Sequence, residues 1–328
     1  MSVPFSPTAF ATPIVAPNVG TLYRRAPYIS PSEYRFAPTA VATTGLNPGS
    51  QEPSVDSLSN LADVINRASG IIDEHCFHAP DGTLAASPSV ESDWIKAKGD
   101  GSLNLICNFK PVIAVLGIAI GPTPSTIQSL NPTSPADIFI RNKVIMIPAT
   151  YYNTVSGNAL PFPVPTYKGG VFAVWEYVNG FAHATLTASC AANATTLTIE
   201  NAVVGDSLYG IYPGTVLRIK DGNLTELVQV ASVSGNTVTL TGTGTVNAHT
   251  LPSAPDFIPV TALPWDIEQA CIFVTSALIK SRGSRAQILS AMAGERASSQ
   301  AMHMAGASHD IEMACKALRS YKTVYMHA

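Results

Sequence analysis

The densest set of reactive side chains in this 328-residue chain is Asp73-Glu74-His75-Cys76-Phe77-His78. Imidazole and thiolate are the ligands that zinc prefers, but zinc needs four of them in a tetrahedron, normally as two spaced pairs. Only one pair stands here, at a helix end, so packing is the better reading and no metal is expected. His303, His309 and His327 gather near the C-terminus, but six residues separate the first two, and a helix puts such positions on different faces. Asp221-Gly222-Asn223 with Glu226 offers oxygen ligands for calcium, but the spacing of a calcium loop is absent and a hairpin turn accounts for Asp-Gly. Gly242-Thr243-Gly244 lacks the third glycine of a dinucleotide loop, and no GxSxG, P-loop or HExxH motif occurs. The sequence therefore predicts no catalytic residue, no cofactor and no metal, and a protein that is not an enzyme.

Totals point the same way. Charged residues are 12% of the chain, about half the usual ~25% share. The formal net charge is −3 and no run of Lys and Arg exceeds Arg24-Arg25, which argues against sequence-independent nucleic-acid binding. A lightly charged surface suits contact with other protein. The five cysteines form no CxxC and are an odd number, so free, buried thiols in a reducing compartment are expected. The start of the chain has no basic n-region and is broken by Pro4, Pro7, Pro13 and Pro17, unlike a secretory signal. The longest apolar run, Val112 to Ile120, is far below the ~20 residues that span a bilayer. A soluble protein made in a cytoplasm is the expectation.

The elements that would position these side chains divide unevenly. Residues 1–53, rich in Pro, Ala, Thr and Ser, read as an extended N-terminal arm. Leu58, Leu61, Ile65, Ala68 and Ile72 share one helical face over 56–76, with Asp56 or Ser57 as N-cap. From 80 to 183 the chain alternates strand and loop, with strands expected at 103–107, 112–120, 138–147 and 171–178. Residues 184–250 alternate with period two around turns at Asp221-Gly222 and Gly235-Asn236, the pattern of a small antiparallel barrel or sandwich. A second helix is expected over 264–283, with Pro264 at its first position, Asp266 and Glu268 in its first turn and Lys280 and Arg282 in its last. A last helix should run from His309 to about Tyr321. The fold class is thus α+β: a small helical bundle core, 54–183 with 251–328, carrying β-rich insertions, including the module at 184–250.

The order of these segments resembles the head–tail connector (adaptor) proteins of long-tailed bacteriophages. Leu61–Cys76 (LADVINRASGIIDEHC) is similar to that family's first helix. Gly101-Ser102-Leu103-Asn104-Leu105 and Lys110-Pro111-Val112-Ile113-Ala114-Val115 are similar to its paired strands. Ala262–Ala270 through Lys280-Ser281-Arg282 is similar to its second long helix, and Asp310-Ile311-Glu312-Met313-Ala314 with Leu318 and Tyr321 to its last. The long arm and the module at 184–250 depart from the compact pattern and match its larger variant. The resemblance implies a structural virion protein at the neck, assembled in the host cytoplasm. It would form a homo-oligomeric ring, a dodecamer, between the portal and the next neck or tail-completion protein. Genomic DNA would pass through the lumen during ejection without sequence-specific binding, and no membrane is involved. The portal interface would use Arg319, Tyr321, Lys322 and Tyr325, and the subunit interface Arg282 and Arg285. The alternative is a capsid decoration or receptor- and glycan-binding virion protein using the β-module. A lytic hydrolase is the third reading.

Overall fold

The computed structural model describes residues 26–39, 41, 43, 55–77, 83–130, 138–148, 170–200, 210–280 and 308–322. They fall into two compact units, one within 86–180 and one made of 22–85 with 181–324.

The 86–180 unit is entirely β among its described residues. Its strands are β1 (Ser87–Ile95), β2 (Leu103–Ile106), β3 (Val112–Gly121), β4 (Gln128–Leu130), β5 (Phe139–Arg141), β6 (Val144–Ile147) and β7 (Val171–Asn179). They form two antiparallel sheets, ordered β1-β7-β3-β4 and β2-β6-β5. Period-two patterning builds the core: Val171, Ala173, Trp175 and Tyr177 are buried, and the side chains between them are only partly so. Leu103, Leu105, Ile118, Ile120, Ile145 and Ile147 complete it. The expected single strand over 138–147 is instead a hairpin. Asn142 adopts φ 54°, the left-handed conformation that a two-residue turn requires and Asn tolerates, so β5 and β6 fold back on each other.

The second unit contains α1 (Pro31–Phe36), α2 (Val55–Phe77), β8 (His183–Thr185), β9 (Thr196–Thr198), β10 (Val216–Asp221), β11 (Leu224–Ser234), β12 (Thr237–Leu240), β13 (Pro259–Thr261), α3 (Trp265–Lys280) and α4 (Ser308–Leu318). The strands make one antiparallel sheet, ordered β8-β13-β10-β11-β12-β9. Its two ends meet just past β8 and β9. Leu186 bridges Ile199, Thr187 N donates to Thr198 O at 3.0 Å and Glu200 N to Thr185 O at 2.9 Å. The sheet is curled, and Leu197, Leu217, Ile219, Val228, Val238 and Val260 fill its inside.

α3 lies against both α2 and α4. Ile267, Cys271, Val274 and Leu278 bury one face of it, and Ala270, Ile272 and Ala277 bury others. Pro264 stands one place earlier than expected: the helix starts at Trp265, and Pro264 O accepts from Ile267 N at 3.1 Å. α2 starts at Val55, so Asp56 and Ser57 lie within its first turn rather than at its cap. Of the extended arm expected over 1–53, residues 1–25, 40, 42 and 44–53 lie outside the described residues, and in the described part a proline starts a short helix. Ser30 caps α1 by accepting from Glu33 N at 3.1 Å, and Pro31 supplies the fixed φ of the first turn.

The α+β class expected from sequence holds. The helical-bundle core is not shown: strands outnumber helices, thirteen to four, among the described residues. No helix there is long and apolar enough to cross a membrane.

Candidate interaction surface

The outer face of β10 is the unusual part of the chain. Strand alternation turns Leu217 and Ile219 into the curled sheet and Arg218 and Lys220 away from it. Both cations are nevertheless buried, at 8% and 5% exposure. An isolated buried charge is prohibitive, so each needs a partner. Glu268, in the first turn of α3, serves both: Arg218 Nη2 meets its Oε1 at 2.6 Å and Lys220 Nζ its Oε2 at 2.7 Å. Lys220 also bonds Glu33 of α1, and Arg218 donates to Leu263 O. Burial raises the Glu33 pKa above the usual carboxylate value, against the attraction of Lys220. The cluster thereby pins α1 and α3 to the sheet.

Trp265 covers this cluster. Its ring centroid stands 4.1 Å from the Arg218 guanidinium carbon and 4.8 Å from Lys220 Nζ, a double cation–π contact. The indole is still 58% exposed. Leu227, the cross-strand partner of Arg218, is 68% exposed, and Val216, two residues before Arg218, is 51% exposed. Phe36, 64% exposed, lies across the β10–β11 turn, where a Cβ on Gly222 would come within 2.9 Å of its ring. Trp265 thus stacks on a buried ion cluster, with Leu227 and Val216 exposed on the strands beside it and Phe36 across the turn. Aromatic groups held rigid over desolvated arginine are what protein interfaces use as anchors.

A second polar cluster sits inside the same sheet. His249 is fully buried, with Nδ1 3.2 Å from Asp221 Oδ2 and Nε2 2.9 Å from Glu226 Oε1. The other Glu226 oxygen accepts from Val246 N at 2.9 Å and Asn247 N at 3.0 Å. Burial raises the Glu226 pKa, but the bonds from His249, Asn247 and Val246 outweigh it and the net shift is downward. Cys190, joined to His249 by an isolated bridge outside the named strands, has its thiol pushed up chiefly by burial, with Glu226 and Asp221 adding to it. A thiol held protonated is a poor nucleophile. The cluster therefore ties the Asp221 turn to the 245–249 segment. The residues considered for calcium in the sequence, Asp221 and Glu226, are both engaged by this histidine.

The other sequence candidates are dispersed. Cys76 is buried and its thiol is pushed well up by that burial; His75 is buried beside it. No group of three or more His, Cys, Asp or Glu suited to a metal ion occurs among the described residues. All five cysteines are free. Arg319 is exposed just past α4. Tyr321 N bonds Leu318 O at 2.9 Å, and its ring meets Phe181 edge-on at 6.0 Å. Burial, then Asp266, raises its phenol pKa. Lys322 is half-buried. Tyr325, Arg282, Arg285, His78, His303 and His327 lie outside the described residues. Sequence reading missed the surface around Trp265, though Arg218 and Lys220 alternating with Leu217 and Ile219 is the one signal that pointed to it.

No family model, no curated protein and no solved structure matches the chain.

Proposed function

We propose that this chain is a structural virion protein, a head-to-tail connector that closes into a ring between portal and tail and extends the DNA channel. The observation that carries this reading is the surface around Trp265: an exposed indole stacked on buried, ion-paired cations, with Phe36, Val216 and Leu227 also exposed on neighbouring elements, an arrangement suited to holding another protein. The order of sequence segments and the low charge content support the connector class. The role is geometric and non-enzymatic, matching one ring to the next. Arg319, Tyr321 and Lys322 follow α4 directly, and with Tyr325 they are the proposed portal contact. The C-terminal helix of the connector would then carry its docking segment.

Electron microscopy of the purified chain, with and without the portal of its own virus, tests the proposal. A closed ring, alone or on the portal, is expected. A chain truncated after Ser308 should not dock. Tailed, DNA-filled particles assembled with the truncated chain would overturn the reading.

A further inference from the structure

The bonds that His249 can make depend on how many protons its ring carries. Strand alternation turns Asp221 inward with Leu217 and Ile219, and Glu226 inward with Val228 and Val230. Two carboxylates from paired strands therefore meet one buried imidazole. Nδ1 stands 3.2 Å from Asp221 Oδ2 and Nε2 2.9 Å from Glu226 Oε1. A carboxylate only accepts, so each of these contacts needs an N–H on the ring. Imidazolium has two and makes both bonds. Neutral imidazole has one and makes only one of them.

Burial decides which bond survives. The Glu226 side chain is 6% exposed and that of Asp221 31%. Without its donor, the Glu226 oxygen facing the ring would be a buried charge with no bond, whereas Asp221 can turn to water. Glu226 is also fixed through its other oxygen, which accepts from Val246 N at 2.9 Å, Asn247 N at 3.0 Å and Asn247 Nδ2 at 3.2 Å. Cys190, held to His249 by paired backbone bonds of 2.9 and 2.8 Å, has a thiol that burial keeps protonated, so it does not compete for the proton. Arg218 and Lys220 point to the other side of β10.

Asp221 is also a turn residue. It pairs with Leu224 across Gly222-Asn223, and Gly222, at φ +60°, lies against the Phe36 ring at the end of α1. What holds Asp221 thus steadies the turn beneath Phe36, one residue from the Lys220 that bonds Glu33 and Glu268.

We infer that His249 is a proton-operated switch on the β10–β11 turn: protonated, it ties both Asp221 and Glu226; neutral, it keeps Glu226 and releases Asp221, freeing the turn under Phe36. The tie is closed on the acid side and opens as pH rises through the titration of the imidazole. It operates within one chain and does not depend on the connector reading.

NMR of the full chain, ¹⁵N-labelled and assigned through its backbone, tests this between about pH 5 and 8, where imidazoles titrate. As pH rises, His249 Nδ1 is expected to lose its proton while Nε2 keeps its own, and the Gly222 amide signal should shift with the same midpoint. Asp221→Asn separates a switch from a merely structural histidine. Its side chain can accept from the imidazolium through oxygen and donate to the neutral ring through nitrogen, so the turn stays tied throughout and the Gly222 shift should be lost while His249 still titrates. If that variant does not fold, the order of the two ring protons and the Gly222 shift in wild type decide alone. Loss of the Nε2 proton first, a ring that does not titrate over this range, a Gly222 amide that ignores it, or an Asp221→Asn turn that still follows it would each overturn the inference.

Discussion

Single residues in the ion cluster are not interchangeable, and the geometry ranks them. Glu268 neutralises two buried cations, whereas Glu33 touches one and is itself held toward its protonated form by burial. Removing one partner of a buried pair leaves an uncompensated charge, which costs about 3 kcal/mol or more. Glu268→Gln is therefore expected to destabilise the second unit by about 3 kcal/mol, and Glu33→Gln by less than about 1 kcal/mol; urea unfolding of both variants measures the difference. Glu226 sets an acid limit. Its folded pKa lies below its ordinary value, so its contribution is present above the usual carboxylate range and is lost as pH falls through the folded pKa. Between about pH 5 and 3, wild type should lose more stability than Glu226→Gln. Parallel slopes for the two proteins would show that His249 and Asn247 give the carboxylate no preference for ionisation.

Elements with strong periodicity were legible in the sequence, and those made by contact were not. α2 and α3 stand within a few residues of their expected bounds because each buries a continuous face. β10, β11 and β12 follow period two, and their Gly-containing turns mark the hairpins. β1 escaped notice because Pro88, Glu91 and Asp93 give it the look of a loop; its register with all nine residues of β7 is what makes it a strand. α1 escaped because six residues are too few for a period, and its stability lies in Ser30, Pro31 and the Glu33–Lys220 pair. The surface around Trp265 showed only in the alternation of Arg218 and Lys220 with Leu217 and Ile219, for a related reason: Phe36, Val216, Leu227 and Trp265 come from three separate stretches, and no spacing rule links them. Turn chemistry also leaves a sharp test. Gly244 has φ +79°, and a Cβ there would collide with Ala194 O. Gly244→Ala is expected to cost about 2–3 kcal/mol in thermal or urea unfolding, because both the conformation and the space exclude it.

At the scale of the molecule, the 86–180 unit begins and ends at neighbouring points. Ala85 bridges Phe181, Phe181 N donates to Leu84 O at 2.8 Å, and Ser87 pairs with Asn179. Replacing residues 86–180 by a short Gly-Ser link between Ala85 and Phe181 should leave a chain that keeps its helical circular dichroism and unfolds in one cooperative transition. Loss of that transition would mean that the second unit depends on the first for its core. The adjacency of those two points also bears on descent. A recombination that exchanges everything between Ala85 and Phe181 has both of its junctions at one pair of neighbouring residues. Relatives can then carry an excursion of any length or sequence at this site, and kinship among them would be sought in Tyr28, Asp73, Arg218 and Glu268 rather than across the whole reading frame.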